Sequence, residues 1–147
     1  MTLYGEYEPS PAAWVRGHVA KYENSDGAEG ASMGPARVVI LTTVGAKSGK
    51  LRKVPLIRVE HDGTYAVVAA DSGSPKNPGW YFNLLAHPTT RLQDGAEIHD
   101  MVAHEASGEE RAEWWERALV SNPHYDEYQA KVTRIIPLLV LQAVGHN

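Results

Sequence analysis

Three stretches of this chain carry residues whose types and spacing could do chemistry. The first is Gly45-Ala-Lys-Ser-Gly-Lys50, followed closely by Arg52 and Lys53. A turn bounded by glycines can aim backbone N–H groups at an anion, and Lys47, Ser48, Lys50, Arg52 and Lys53 add charge and hydrogen bonds. It is not the loop of the nucleoside triphosphatases. That motif puts four residues between its glycines and a Ser or Thr after its lysine, whereas here three residues intervene and Leu51 follows. A solvated hairpin tip decorated with lysines is the plainer alternative. The second stretch is Lys76-Asn-Pro-Gly-Trp-Tyr-Phe-Asn-Leu84. Trp80, Tyr81 and Phe82 in succession on a short helix cannot all face one core, so at least one faces a groove or ligand; the alternative is a helix that merely anchors in the core. The third is Tyr125-Asp-Glu-Tyr128, where two phenols three residues apart share one side of a helix. Phenols there can wall an apolar pocket and donate a hydrogen bond or proton, or simply lie half-buried.

Other chemistries fall away. Gly30-Ala-Ser-Met-Gly34 has the letter pattern of a hydrolase nucleophile elbow, but it precedes a strand instead of following one, so Ser32 reads as a loop residue. The seven histidines show no metal-ligand spacing, and no metal is expected. The absence of cysteine removes disulfides, thiolate ligands and a thiolate nucleophile together. Net charge is −4, yet the stretch from Gly30 to Val59 holds six basic residues (Arg37, Lys47, Lys50, Arg52, Lys53, Arg58) and no acidic one. A basic island in an acidic chain points to a localised anionic ligand. With no aromatic between Arg37 and Arg58 it makes a poor nucleic-acid platform, so no nucleic-acid partner is expected.

Elements must hold these stretches in place. At 147 residues, 43% hydrophobic and 22% charged, the chain fits one globular domain, with residues 1–30 as an N-terminal helix and loop and 37–144 as the core. A helix is expected from Ser10-Pro11, with Trp14, Val15, His18, Val19 and Tyr22 along one face, and a loop over Gly27 to Pro35. Strands are expected over Arg37–Val44, Leu51–Glu60 and Thr64–Ala70, then a short helix over Pro78–Ala86. A hairpin joins Thr89–Gln93 to Glu97–His104 around Asp94-Gly95. Ser107-Gly-Glu-Glu110 reads as a capping box opening a helix that carries Trp114, Trp115, Ala118 and Leu119 and ends near Asn122-Pro123. A short helix over Tyr125–Thr133 leads to a last strand, Ile135–Val144, whose Pro137 sits at an edge, a start or a bulge. Six short strands with peripheral helices make a mainly β fold, a small barrel or strongly curved sheet.

In this order, Leu41-Thr-Thr-Val-Gly-Ala-Lys-Ser-Gly49, Arg52-Lys-Val-Pro-Leu56, Lys76-Asn-Pro-Gly-Trp-Tyr-Phe-Asn-Leu-Leu-Ala-His-Pro88, and then Tyr125, Tyr128 and Ile136-Pro137 resemble the deazaflavin-dependent nitroreductase family over roughly residues 37–144. The resemblance implies a split β-barrel, like that of the flavin-binding pyridoxamine oxidases. It also implies coenzyme F420, a deazaflavin with an anionic phospholactyl and polyglutamate tail. By resemblance, Lys47 and Ser48, with Ala46, Gly49, Arg52 and Lys53, would hold the phosphate and tail. Val54, Pro55, Leu56 and Ile57 would line the coenzyme's path. Val68, Ala69, Ala70 and Asp71 would edge the ring, and Gly79, Trp80, Tyr81, Phe82 and Asn83 would complete the site. Tyr125 and Tyr128 match positions that close the substrate pocket. Ala46 stands where arginine is common, and Ala70-Asp71 where a Ser-Lys pair is common.

The expected function is therefore hydride transfer from reduced F420 to a two-electron acceptor. The acceptor expected first is a menaquinone-like quinone, with nitroaromatics and activated alkenes as side substrates. Tyr125, Tyr128 and Trp14 would wall a flat acceptor, and Tyr125 would donate a hydrogen bond or proton to it. A non-catalytic split-barrel carrier of flavin, haem or F420 is the alternative. The acidic N-terminus without an apolar signal core makes the cytoplasm the expected location, with weak association to the inner membrane face through a poorly lipophilic N-terminal helix; a monomer or homodimer is expected.

Overall fold

The computed structural model describes residues 3–144. Its framework is one antiparallel sheet that returns to where it began. Strand β1 is Ser32–Met33, β2 Ala36–Val44, β3 Leu51–Ile57, β4 Val59–His61 and β5 Thr64–Val68. Strands β6 (Thr89–Asp94), β7 (Glu97–Glu105) and β8 (Leu138–Ala143) follow. Pairing runs β2-β6-β7-β8-β5-β4, and β3 pairs with the free side of β2. Because only Arg58 separates β3 from β4, this path closes into a six-membered ring, a barrel with almost no free edge. The short β1 pairs only with the start of β2, through Ser32–Arg37 and Met33–Ala36.

Alternation along the strands sorts apolar side chains between the barrel interior and its outer faces. Val39 and Leu41 of β2, Tyr65 and Val67 of β5, Leu92 of β6, Met101 and Ala103 of β7, and Leu139 and Leu141 of β8 meet inside. Their neighbours face outward. Val38 and Ile40 pack under helix α1 (Ala13–Asn24) through its Val15, Val19 and Tyr22. Ala66, Val68, Leu138 and Val140 pack under α3 (Gly108–Ser121) and α4 (Tyr125–Ala130), against Trp114, Ala118 and Tyr125. Strand β8 is thus apolar on both faces for four residues, Leu138 to Leu141, all buried. Each such leucine or valine withdrawn from water contributes about 1.5–3 kcal/mol. Helix α2 (Gly79–Ala86) sends Leu84 into the inner cluster, with Trp80 and Tyr81 against it.

Arg58 is the seam. The strand expected over Leu51–Glu60 breaks there, because it must leave β2 and join β5. The Arg58 N–H donates to Arg37 O at 2.8 Å, and its Nε reaches both carboxylate oxygens of Asp94, at 3.0 and 2.9 Å. Asp94, with its side chain only 7% exposed, also accepts from the Tyr65 hydroxyl. That claim on Asp94 moves the hairpin turn one residue onward, to Gly95-Ala96.

Other boundaries also move. The expected loop over Gly27–Pro35 contains β1, folded back by a turn at Gly34-Pro35. Helix α1 begins at Ala13, since Ser10 Oγ accepts from the Ala12 N–H just outside the helix. The capping box at Ser107 does not form: Ser107 caps no N–H, and Glu110 faces His104 Nε2 at 2.9 Å. Helix α4 stops at Ala130 instead of Thr133, and β8 starts at Leu138, directly after Pro137. Among the described residues no helix is long and apolar enough to cross a membrane, and no group of acidic or histidine side chains is placed to hold a metal ion.

Candidate functional site

A cleft of about 780 Å³ opens between the β2–β3 turn, the start of α2 and the segment entering α1. The turn is built by its own backbone. Gly45 N–H donates to Lys50 O at 2.8 Å, Gly49 N–H to Gly45 O at 3.0 Å, and Lys50 N–H to Ser48 Oγ at 3.1 Å. A Cβ on Gly45 would meet Ser48 Oγ and lie 3.3 Å from Lys50 O, so a side chain there would push the Ser48 hydroxyl off the Lys50 N–H. Asn83 on α2 ties the turn to the helix: its Oδ1 accepts from Ala46 N–H at 2.9 Å and its Nδ2 donates to Thr43 Oγ1 at 3.0 Å. The backbone N–H groups of Lys47 and Ser48 make no hydrogen bond among the described residues, which leaves them for a ligand.

The wall chemistry is divided. Lys47, Arg52 and Lys53 supply positive charge, Thr43, Ser10 and Ser48 supply hydroxyls, and Val15, Val54, Trp80 and Phe82 supply apolar surface. Lys47 has no ion-pair partner among the described residues. Arg52 and Lys53 do: Arg52 Nη1 lies 2.9 Å from Glu8 Oε1, and Lys53 Nζ lies 2.6 Å from Glu23 Oε2. Lys53 also sits over the Tyr7 ring, 4.8 Å from its centroid. Burial, then the nearby Glu23 carboxylate, pushes the Tyr7 phenol above its usual range.

The sequence-derived site residues fall into two groups. Ala46, Lys47, Ser48, Arg52, Lys53, Val54, Gly79, Trp80, Phe82 and Asn83 line the cleft together. Gly49 lies within the turn but off the cleft wall, and Pro55 is buried on β3. Leu56 and Tyr81 pack toward the barrel interior and Ile57 against the outer cluster under α3. Tyr81 donates its hydroxyl to Glu105 Oε1 at 2.7 Å, and burial followed by that carboxylate pushes its phenol up to about 12.

The second group gathers beneath α4. Val68, Ala69 and Ala70 are buried, and Asp71 opens a 3-10 turn, Asp71–Gly73, that packs against α4. Tyr125 is 5% exposed in the same outer cluster as Val68 and Ala70, with the Tyr128 ring 6.2 Å away, edge-on. Burial raises the Tyr125 phenol well above its ordinary range, with the Asn122 side chain opposing and Tyr128 adding to the rise. Trp14, on the first turn of α1, is exposed and its neighbour Val15 lines the cleft in its place.

Arg134 joins the two groups and carries no motif that would have exposed it. Its guanidinium donates to Ala69 O, Ala70 O, Ser74 O and Asn77 Oδ1, at 2.6 to 3.1 Å. It thereby fixes the path from the end of β5 to the start of α2. Glu8, Ser10, Val15 and Thr43 are cleft residues that sequence reasoning also missed, because nothing local marks them.

Comparison with known proteins agrees on one family. The family model described as F420H(2)-dependent quinone reductase matches residues 14–143. The F420H(2)-dependent quinone reductase Rv1261c of Mycobacterium tuberculosis is 30% identical over 131 residues, 86% of this chain and 88% of that protein. Among solved structures, the F420-H2 dependent reductase FDR-A is 51% identical with a TM-score of 0.68, covering 71% of this chain and 93% of its own. A second, described as a domain-swapped dimer, is 45% identical with a TM-score of 0.72, covering 90% and 100%. A haem-binding protein from Mycobacterium smegmatis, at 16% identity and a TM-score of 0.58, shares the fold alone, as does a pyridoxamine 5'-phosphate oxidase-like protein from Listeria innocua at 14% and 0.53. The barrel is thus the split β-barrel of flavin- and haem-binding proteins.

Proposed function

The chain belongs to the F420H(2)-dependent quinone reductase family, oxidoreductases whose coenzyme is F420, and on that premise we propose that it reduces a menaquinone-like quinone at the cleft beside Lys47 and Trp80. The observation that carries this reading is the division of one cleft wall into an anion-binding turn and an aromatic face. The donor set suits the coenzyme. Lys47, Ser48, Arg52 and Lys53, with the free N–H groups of Lys47 and Ser48, would hold its phosphate and carboxylates. Trp80, Phe82 and Val54 offer the flat apolar surface its ring needs.

When bound, reduced F420 supplies a hydride, and the quinone becomes a quinol by taking that hydride and a proton. The protein's part is orientation, exclusion of water and the proton. Asn83 fixes the turn relative to α2, so that anion and aromatic face keep one distance. Tyr125 is the proposed proton donor. Like any phenol it is protonated at neutral pH; burial raises its pKa and so weakens it as an acid, and donation requires that acceptor binding expose the hydroxyl and relieve that burial. Tyr128 beside it would wall the acceptor.

Nitroaromatics and activated alkenes, also two-electron acceptors, belong to the same proposal as side substrates. So do a cytoplasmic location and loose contact with the inner membrane face, where a lipophilic quinone is met. The domain-swapped relative supports a homodimer.

Tryptophan fluorescence, with Trp80 on the cleft wall, tests the coenzyme; FMN in the same salt is the control. Saturable quenching by F420 alone, followed by oxidation of reduced F420 on adding menadione, is the expected result. Coenzyme binding with turnover of nitroaromatics but no quinone would displace the quinone from first place.

A further inference from the structure

The segment before α1 is tied to the strand that carries Arg52 and Lys53. Residues 5–8 run alongside β3: Leu51 N–H donates to Glu6 O at 2.8 Å, Glu8 N–H donates to Leu51 O at 2.9 Å, and Tyr7 bridges to Leu51 in parallel register. Gly5 seats against the anion-binding turn so closely that a Cβ there would lie 2.9 Å from Gly49 O, and its φ of +149° already favours glycine. This strap brings Glu8 to Arg52, while α1 brings Glu23 to Lys53. Two of the three cations at the cleft are therefore neutralised by the protein's own carboxylates.

We propose that Glu8 and Glu23 are specificity-determining residues: intramolecular counterions that close Arg52 and Lys53 to free anions and yield them only to the anionic tail of a ligand already anchored in the cleft. The proposal rests on the F420 reading for the identity of that ligand. The physical basis is effective concentration. A tethered carboxylate competes with a freely diffusing phosphate at a large advantage, but competes on nearly equal terms with a tail that is itself tethered by a bound ring. Exposure makes the exchange feasible. The side chains are 36% and 42% exposed in the Arg52–Glu8 pair and 20% and 31% in the Lys53–Glu23 pair, so solvent can receive each displaced carboxylate. Lys47 and the free N–H groups of the turn stay open and supply the first anion contact.

The test measures dissociation constants of three probes: F420 with its polyglutamate tail, the same deazaflavin ending at phospholactate, and inorganic pyrophosphate. The proteins are wild type, Glu8→Gln, Glu23→Gln, the double variant and, as a net-charge control, Glu109→Gln on the first turn of α3. Half-exposed pairs of this kind predict that the double variant binds tailed F420 about two- to tenfold more tightly. The tail-less form should change by less than about twofold, and pyrophosphate should gain affinity in the double variant only. An equal gain for both F420 forms, the same gain in Glu109→Gln, no change, or weakened binding would each overturn the proposal. Failure of wild type to bind either F420 form would instead overturn the coenzyme reading, leaving the pyrophosphate comparison to decide whether the two glutamates guard the cations.

Discussion

Asn83 holds Ala46: one side-chain amide on α2 accepts from the Ala46 N–H at 2.9 Å while donating to Thr43 Oγ1 at 3.0 Å, so turn and helix move as one body. The relationship gives Asn83 a role distinct from ligand contact. It spends the Ala46 N–H and leaves those of Lys47 and Ser48 free. Two neutral hydrogen bonds of about 0.5–1.5 kcal/mol each predict that Asn83→Ala weakens F420 binding about three- to tenfold, because the turn loses its fixed orientation. Asn83→Asp should be worse, since a carboxylate beside the anion site repels the ligand. Equal affinity for wild type and Asn83→Ala in the fluorescence titration would show that the turn holds itself.

The seam at Arg58 predicts a stability effect with no site effect. Arg58→Ala leaves the Asp94 carboxylate, 7% exposed, without its cation. Removing one partner of a buried pair costs about 3–5 kcal/mol, and the partial exposure of Arg58 favours the lower end. For a chain of this length that is a fall in Tm of about 10 °C. Thermal unfolding with F420 affinity measured on the folded variant separates the two effects, and a Tm within a few degrees of wild type would remove Arg58 as the closure of the barrel.

What the sequence made legible was local. The glycine turn, the aromatic run on α2 and the β-prone runs that become β2, β5 and β8 depend on neighbours within a few residues, and each forms over the stretch where it is expected, although β5 and β8 are shorter than their runs. Interactions across long separations were not legible. Glu8 finds Arg52 across 44 residues, Glu23 finds Lys53 across 30, and Arg134 finds Ser74 across 60. Glu8, Glu23 and Arg134 have no neighbour that marks them. The capping box failed for the same reason: Glu110 satisfies His104 on β7 instead of its own helix end. The strand break at Arg58 is likewise a property of barrel closure, invisible in a run that is β-prone throughout.

Arg134 predicts a coupling between the two groups of site residues. Its hydrogen bonds to Ala69 O, Ala70 O, Ser74 O and Asn77 Oδ1 use the planar fork of a guanidinium, which a lysine ammonium cannot reproduce. Arg134→Lys should therefore retain little of the effect of arginine. Charged hydrogen bonds of about 1.5–3 kcal/mol predict a measurable loss of stability and faster amide exchange over residues 69–77 in both Arg134→Lys and Arg134→Ala. Unchanged exchange in that segment would mean that the loop is held by α4 alone.

Alkaline conditions should unfold the protein through its tyrosines. Tyr81 is pushed from 10.0 to about 12, by burial first and by Glu105 second, and burial raises Tyr22, Tyr65 and Tyr125 as well. A phenol whose folded pKa lies above its unfolded value contributes stability that is fully present below pH 10 and disappears as pH climbs through the folded value. Phenolate absorbance and circular dichroism recorded together should show Tyr22, Tyr65, Tyr81 and Tyr125 ionising above pH 10 and together with loss of structure. Ionisation of these four near pH 10 in a still-folded protein would contradict the environments that raise them.

Tyr125 offers the sharpest division between a wall and a donor. Its ring fills the cluster formed by Val68, Ala70, Trp114 and Ile136, and Tyr125→Phe keeps that ring while deleting the hydroxyl. Packing is then preserved, so Tm should fall by no more than a few degrees and F420 affinity should stay within about twofold. If the hydroxyl gives the quinone its proton, kcat should fall by about a hundredfold or more, the range for a positioned general acid. The raised pKa adds a second signature: any downward limb that this group gives wild-type kcat should lie above pH 10, the ordinary phenol value, and should vanish in Tyr125→Phe. Turnover of Tyr125→Phe at the wild-type rate would reassign the residue to the core and move the search for the proton to solvent or to Tyr128.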